Sequence, residues 1–232
     1  MKTLLVLGSK PSPSLPGGKI DAVVCANASG LSARSLDLPT PILTCLSAVL
    51  TSGNASDEHS LRRLQGLRTQ RAYFIPRPRL ETASGLDYLR LRWKMRRLLP
   101  REMRRRLAAL DYGYETFEAH SSQHYYAIVM KHAGESETTR QMIAEKQPST
   151  GVIATALALE EPGYDRVVMA GFDFTLSHAY GDNPLIAERG NALSKHADTD
   201  VHLLRGIAGR NTRLMTSEPV VAERTGLPLA GA

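Results

Sequence analysis

Short apolar runs alternate along the chain with longer stretches in which apolar residues recur every three or four positions, the mark of strands alternating with helices. Strands are expected at Thr3 to Leu7, Asp21 to Ala26, Pro41 to Thr44, Arg71 to Ile75, Arg166 to Ala170 and Arg213 to Thr216. Helices are expected at Asp57 to Arg68, Gly85 to Leu98, Arg101 to Leu110, Glu135 to Lys146, Gly151 to Leu159 and Asp198 to Ile207. A last helix begins after Ser217, read as its N-cap, with Glu218 and Pro219 in the first turn. This order implies an α/β fold, a single Rossmann-like domain over 1–232 around a central, mainly parallel sheet. Pro76 and Pro78 end the fourth strand, and the segment 77–140 after it reads as a basic helical insertion between sheet strands. The segment 175–195, rich in Gly, Asn, Ser and His, lies between a strand and a helix, where mobile lids occur.

Composition narrows the class. At 232 residues, 42% hydrophobic and 22% charged, the chain matches an ordinary globular protein with room for a proper core. The apolar run near Met1 is too short for a signal peptide, and no run reaches the roughly 18 residues of a membrane-spanning helix. Cys25 and Cys45 are too few for a disulfide framework and lack metal or redox spacing. A cytoplasmic setting with reduced thiols is the expectation.

Net charge is +6 but unevenly placed: Leu89 to Leu107 carries nine basic side chains against the single Glu102. A solvated helical face is one account. Because Leu, Trp93 and Met alternate with the arginines, an amphipathic surface for anionic lipid or an acidic saccharide is another. Nucleic acid is the least favoured partner, since no recognition motif accompanies the charge.

The stretch from Val6 to Lys19, VLGSKPSPSLPGGK, invites a phosphate reading. It fails as a P-loop, because Gly18-Lys19 is followed by Ile20 and no glycine stands at the required distance before it. It fails as a dinucleotide fingerprint too, for want of G-x-G-x-x-G and because of prolines at 11, 13 and 16. What remains is a strand ending in a Gly-Ser-Lys-Pro-Ser turn, either a plain connection or a backbone cradle for a nucleotide at the carboxyl edge of the sheet.

From Pro148 onward an ordered set of motifs appears: PSTGVIATALAL, YDRVVMAGFDF, a polar loop with HAYG, KHADTDVHLL and RLMTSEPVV. This succession resembles the bacterial CMP-sialic acid transferases of glycosyltransferase family 42, and more distantly the related CMP-Kdo transferases. The resemblance covers both ends of the chain and leaves 45–140 unplaced. It implies transfer of an acidic keto-sugar, sialic acid first and Kdo second, from a CMP donor to a saccharide or lipid-linked saccharide acceptor of the bacterial surface, as in lipopolysaccharide or capsule. No metal or other cofactor is implied. The basic Arg90 to Arg106 segment would then bring the protein to the inner membrane face; homo-oligomerisation is left open. A protein that kept the nucleotide site or the membrane association without the chemistry is the alternative of another class.

The same resemblance assigns residues. Gly8, Ser9 and Ser12 fall where the family's nucleotide loop stands, and Asn27 where an asparagine ends strand two. Ser149, Thr150 and Gly151 look like the Thr-Ser-Gly helix start; free N–H groups there suit a phosphate or carboxylate, although a plain N-cap before a buried helix fits the spacing as well. Gly171 and Phe172 precede Asp173 at the end of a strand. Asp173 would organise the nucleotide side, serve as nucleophile in a retaining relative, or simply cap the next loop. His196 matches the general base on the acceptor hydroxyl, with the helix start expected to depress its pKa. Tyr180 resembles one of two tyrosines that hydrogen-bond the departing phosphate. Thr175 stands where the second would be, and Gln147-Pro148 where the family has an arginine. The D-x-D of Asp198 and Asp200 suggests a metal pair, but on a helix the two side chains diverge by about 200°.

Overall fold

The computed structural model describes residues 1–10, 12–78, 81, 83–175 and 192–231. One seven-stranded sheet runs through it, in the order β5-β4-β3-β2-β1-β6-β7. The strands are β1 (Thr3–Leu7), β2 (Ala22–Ala26), β3 (Leu43–Ser47), β4 (Arg68–Ile75), β5 (Gly113–Ala119), β6 (Arg166–Ala170) and β7 (Leu214–Thr216). Every pairing is parallel. The helices are α1 (Gly30–Ser35), α2 (Ala55–Arg62), α3 (Gly85–Lys94), α4 (Pro100–Ala109), α5 (Ser122–Ala133), α6 (Glu137–Glu145), α7 (Thr150–Glu160), α8 (Ala197–Ala208) and α9 (Pro219–Thr225). Among the described residues no helix is long and apolar enough to cross a membrane.

The central strands read as unbroken apolar runs because both sheet faces are covered. Leu4 and Val6 of β1 point into one core with Val24, Val152, Ile153, Tyr125 and Leu204, whereas Leu5 and Leu7 point to the opposite face with Val23, Cys25 and Ala33. Every residue of α7 from Gly151 to Leu159 is buried, so this helix lies wholly inside the first core. Each of its large aliphatic side chains contributes about 2 kcal/mol by leaving water. Both cysteines are buried and unpaired, and burial pushes the Cys25 thiol up to about 12.

The chain builds outward from β1 through β2, β3, β4 and β5, then returns to place β6 on the other side of β1. The strand order therefore reverses between β1 and β6, and in open parallel sheets ligands sit in the crevice beyond the carboxyl ends at such a point.

Three expectations change. Residues 113–119, read as part of a helical stretch, form β5 and pair in parallel with β4 from Arg68↔Gly113 to Phe74↔Ala119. Helix α5 beyond it buries Tyr125, Tyr126 and Val129 against the sheet, so 77–140 supplies sheet and core as well as basic helices. Ser217 does not cap the last helix: Glu218 holds the cap position and Pro219 opens the helix, while the Ser217 hydroxyl donates to the Ser14 carbonyl oxygen. Of the expected lid, 176–191 lie outside the described residues. Its two ends meet in a bridge between Thr175 and Leu193, and the Ser194 N–H donates to the Phe174 carbonyl at 2.8 Å.

Candidate functional site

A cavity of about 910 Å³ opens where the carboxyl ends of β1, β2, β3, β4 and β6 meet the start of α7. Pockets of this size accommodate a ligand as large as a nucleotide sugar.

Its floor depends on three glycines. A Cβ on Gly8 would stand 2.2 Å from the Gly171 carbonyl oxygen, and one on Gly151 would stand 2.5 Å from the Phe172 ring. Gly171 has φ +75° and packs against Gly8 and Pro13, so the crossing of the loops after β1 and β6 accounts for it. Phe172 lies in the space that Gly151 leaves, so Gly8, Gly151, Gly171 and Phe172 form one packed wall.

The loop after β1 is held by a residue that sequence reasoning placed elsewhere. Glu218 is fully buried, and its carboxylate accepts from the N–H groups of Gly171 (2.8 Å) and Ser14 (2.9 Å) and from the Lys10 ammonium (2.6 Å). Lys10 is thereby paired with a carboxylate. Gly8 and Ser9 line the cavity; Ser12, at φ +50°, is exposed and does not. Ser12, expected beside the nucleotide, is thus exposed and off the cavity wall, while Glu218 holds Lys10 and Ser14 on either side of it.

Asn27 sits in the left-handed region at φ +54° directly after β2, and its Oδ1 accepts from the Ser47 N–H at 2.9 Å. That bond ties the ends of β2 and β3 together and leaves the amide NH₂ as a donor on the cavity wall.

Ser149 caps α7, its Oγ accepting from the Val152 N–H at 3.3 Å. The Ser149 N–H donates to Asp200 Oδ1 at 2.9 Å. The N–H groups of Thr150 and Gly151 have no acceptor among the described residues and belong to the positive end of a helix that borders the cavity. Asp200 is buried, and burial pushes its carboxyl up to about 7 against the pull of the Ser149 bonds. Asp198 faces a separate cleft with Met142, His202 and Arg224, so the two carboxylates of the D-x-D point apart.

His196 stands at the cap of α8. Its Nδ1 lies 2.8 Å from the Gln147 carbonyl oxygen, which can only accept, so the proton is on Nδ1 and Nε2 is left with its lone pair. Burial lowers its pKa below the usual 6.5; the Gln147 bond opposes this, and the charges of Lys195, Arg77 and Lys146 reinforce it. Burial, rather than the helix start, leads. Asp173 lines the cavity and caps the next turn, Oδ1 accepting from the Thr175 N–H at 3.0 Å. Tyr180 lies outside the described residues.

Four further wall residues were given no site role from the sequence. Arg77 lies two residues beyond the end of β4, after Pro76, and has no ion pair among the described residues. Tyr126 on α5 has its hydroxyl held neutral, burial pushing its pKa up to about 12. Gln147 contributes through its backbone. Asn54 caps α2, its Oδ1 accepting from the Asp57 N–H at 2.8 Å.

No protein-family model and no curated protein sequence matches the chain. Solved structures do. The sialyltransferase CstII from Campylobacter jejuni, in complex with cytidine-5'-monophosphate, superposes with a TM-score of 0.52 at 16% identity, over 99% of this chain and 85% of that one. Its complex with CMP-3FNeuAc gives 0.52 at 15% identity, over 99% and 86%. The monofunctional alpha-2,3-sialyltransferase Cst-I from the same organism gives 0.50 at 14%, over 99% and 80%. The chain has the fold of these sialyltransferases.

Proposed function

We propose that the protein is a glycosyltransferase that moves an acidic keto-sugar, sialic acid first, from a CMP donor to a saccharide hydroxyl without a metal ion. The observation that carries this reading is His196, its Nδ1 held on the Gln147 carbonyl and its Nε2 left as the acceptor, in a cavity at the strand-order reversal of a sheet shared with CMP-bound sialyltransferases.

In the reaction, Nε2 of His196 takes the proton of the acceptor hydroxyl as the acceptor oxygen bonds to the anomeric carbon. The bond from that carbon to the CMP phosphate breaks, and the electron pair leaves with CMP. Phosphate is a good leaving group already, so hydrogen-bond donors suffice to ease its departure. Tyr180 is one such donor in this reading. Tyr126, neutral at working pH, is a second phenol on the wall where Thr175 replaces the expected tyrosine.

The carboxylate of the sugar is assigned to the free N–H groups of Thr150 and Gly151, with Arg77 on the wall of the same cavity. Arg77 thus supplies the cation that Gln147-Pro148 does not. Gly8, Ser9, Asn27, Gly171 and Phe172 form the nucleotide side, and Asp173 orders the turn at Thr175.

The test is CMP release from CMP-sialic acid and from CMP-Kdo, each with EDTA and with a mixed saccharide acceptor. Release from CMP-sialic acid that survives EDTA supports the reading, and release from CMP-Kdo alone would change the sugar. CMP binding without release from either donor would instead favour a protein that kept the nucleotide site and lost the chemistry.

A further inference from the structure

Helix α3 buries none of its residues. Tyr88, Leu91 and the following Met95 are half-buried and face the protein, while the opposite side carries Leu86, Leu89 and Trp93 at 74%, 59% and 72% exposure. The spacing i, i+3, i+7 puts these three on one stripe. Large apolar side chains aligned on a helix and left in water call for a cover.

The helix that carries the stripe and the turn after it are cationic. Arg92, Lys94, Arg96 and Arg97 make no ion pair among the described residues, whereas in the next helix Arg105 is paired with Glu102 and Arg106 with Glu58. The guanidinium of Arg96 lies 4.8 Å above the Trp93 ring. An amphipathic aromatic ring at the level of a cluster of free cations suits the headgroup layer of a bilayer, where chains meet phosphates. A folded protein partner would have to be acidic and grooved, and a nucleic acid would leave the leucines unused.

We propose that α3 docks the protein on an anionic lipid surface, Leu86, Leu89 and Trp93 entering the acyl boundary and the surrounding Arg and Lys side chains binding lipid phosphates. The helix is attached at the cavity edge of the molecule. The chain leaves the cavity wall at Arg77 shortly before α3, and after it the Arg97 carbonyl accepts from the Thr51 hydroxyl at 2.5 Å, beside the cavity residue Val49. Docking therefore holds the carboxyl edge of the sheet close to the membrane, whatever reaction occurs there.

Trp93 is the sole tryptophan of the chain, so its emission reports this contact alone. The full chain is mixed with phosphatidylcholine vesicles, with and without phosphatidylglycerol, and followed by co-sedimentation and by Trp93 fluorescence. The expected result is sedimentation only with phosphatidylglycerol, weakened by salt, with a blue shift and quenching by bromine-labelled acyl chains. Leu86→Ser/Leu89→Ser, both exposed and so tolerated by the fold, should lower partitioning about tenfold or more. Equal behaviour toward the two vesicle types would overturn the proposal, as would an unaffected double variant. So would binding of single-stranded RNA combined with an unchanged Trp93 spectrum on vesicles, which would reassign the charge to nucleic acid.

Discussion

Replacing Glu218 with alanine tests how the loop after β1 is held. The side chain is fully buried and serves three close donors at once, the backbone of Gly171, the backbone of Ser14 and the ammonium of Lys10, with the Ser14 hydroxyl a longer fourth at 3.5 Å. Truncation leaves two backbone N–H groups without their charged acceptor, at roughly 1.5–3 kcal/mol each when fully desolvated. It also strips Lys10 of its partner, for which one-sided loss of a buried pair costs about 3–5 kcal/mol. Lys10 and Ser14 can regain water, so these costs do not add, and a net loss of about 4 kcal/mol is expected. For a chain of this size that lowers Tm by roughly 8–16 °C. Urea and thermal melts of Glu218→Ala and Lys10→Met, with the double variant, separate the parts. Glu218→Gln keeps an amide oxygen for Gly171 and should lose less than the alanine variant. CMP affinity should fall with Glu218→Ala, because Gly8 and Ser9 belong to the same loop. A loss below about 1 kcal/mol, or single-variant effects that sum to the double with no coupling, would refute the three-way clamp.

Asp200→Asn keeps an oxygen for the Ser149 N–H and removes a buried carboxyl whose pKa is raised from 3.8 to about 7. With the folded pKa above the unfolded one, the wild type loses stability as pH rises between these values, so the asparagine variant should gain on it by up to roughly 4 kcal/mol between pH 4 and pH 8. Urea titrations at several pH values read this directly. Gly8→Ala should cost about 1–3 kcal/mol and reduce CMP binding, since its methyl group would meet the Gly171 carbonyl at 2.2 Å and backbone must move. Arg77→Met should weaken binding of the intact CMP-sugar about tenfold or more while leaving CMP nearly unchanged, as calorimetry with both ligands would show. The acid limb of the rate profile should lie below pH 6.5, because burial of His196 keeps the imidazole neutral further into acid.

The β1, β2 and β6 runs and the Ala72 to Ile75 half of β4 were legible because parallel strands covered on both faces are largely apolar, as in Thr3–Leu7 and Arg166–Ala170. β5 was not, because it is an edge strand: Tyr-Glu-Thr-Phe-Glu alternates polar and aromatic positions that are half-buried or exposed, among basic helices that dominate the composition. His196, Asn27 and the Ser149 to Gly151 start were found from motif order, and all of them line the cavity. Arg77, Tyr126 and Glu218 were not, since each is brought in by the fold from a segment with no motif. Glu218 in particular reads locally as an ordinary first-turn acid, and only the return of β7 beside β6 brings it under Gly171. Asp198 and Asp200 were legible as a divided pair: helical periodicity alone turns their carboxylates apart, and the structure has Asp200 on the Ser149 N–H and Asp198 at a separate cleft.

The most direct measurement is transfer from CMP-sialic acid to a saccharide acceptor by the wild type and by His196→Ala, with CMP affinity determined on the same two preparations. The account predicts transfer by the wild type, a fall of about 100-fold or more in the variant, and CMP affinity within about threefold. Undiminished transfer by His196→Ala, or a wild type that binds no CMP, would contradict it.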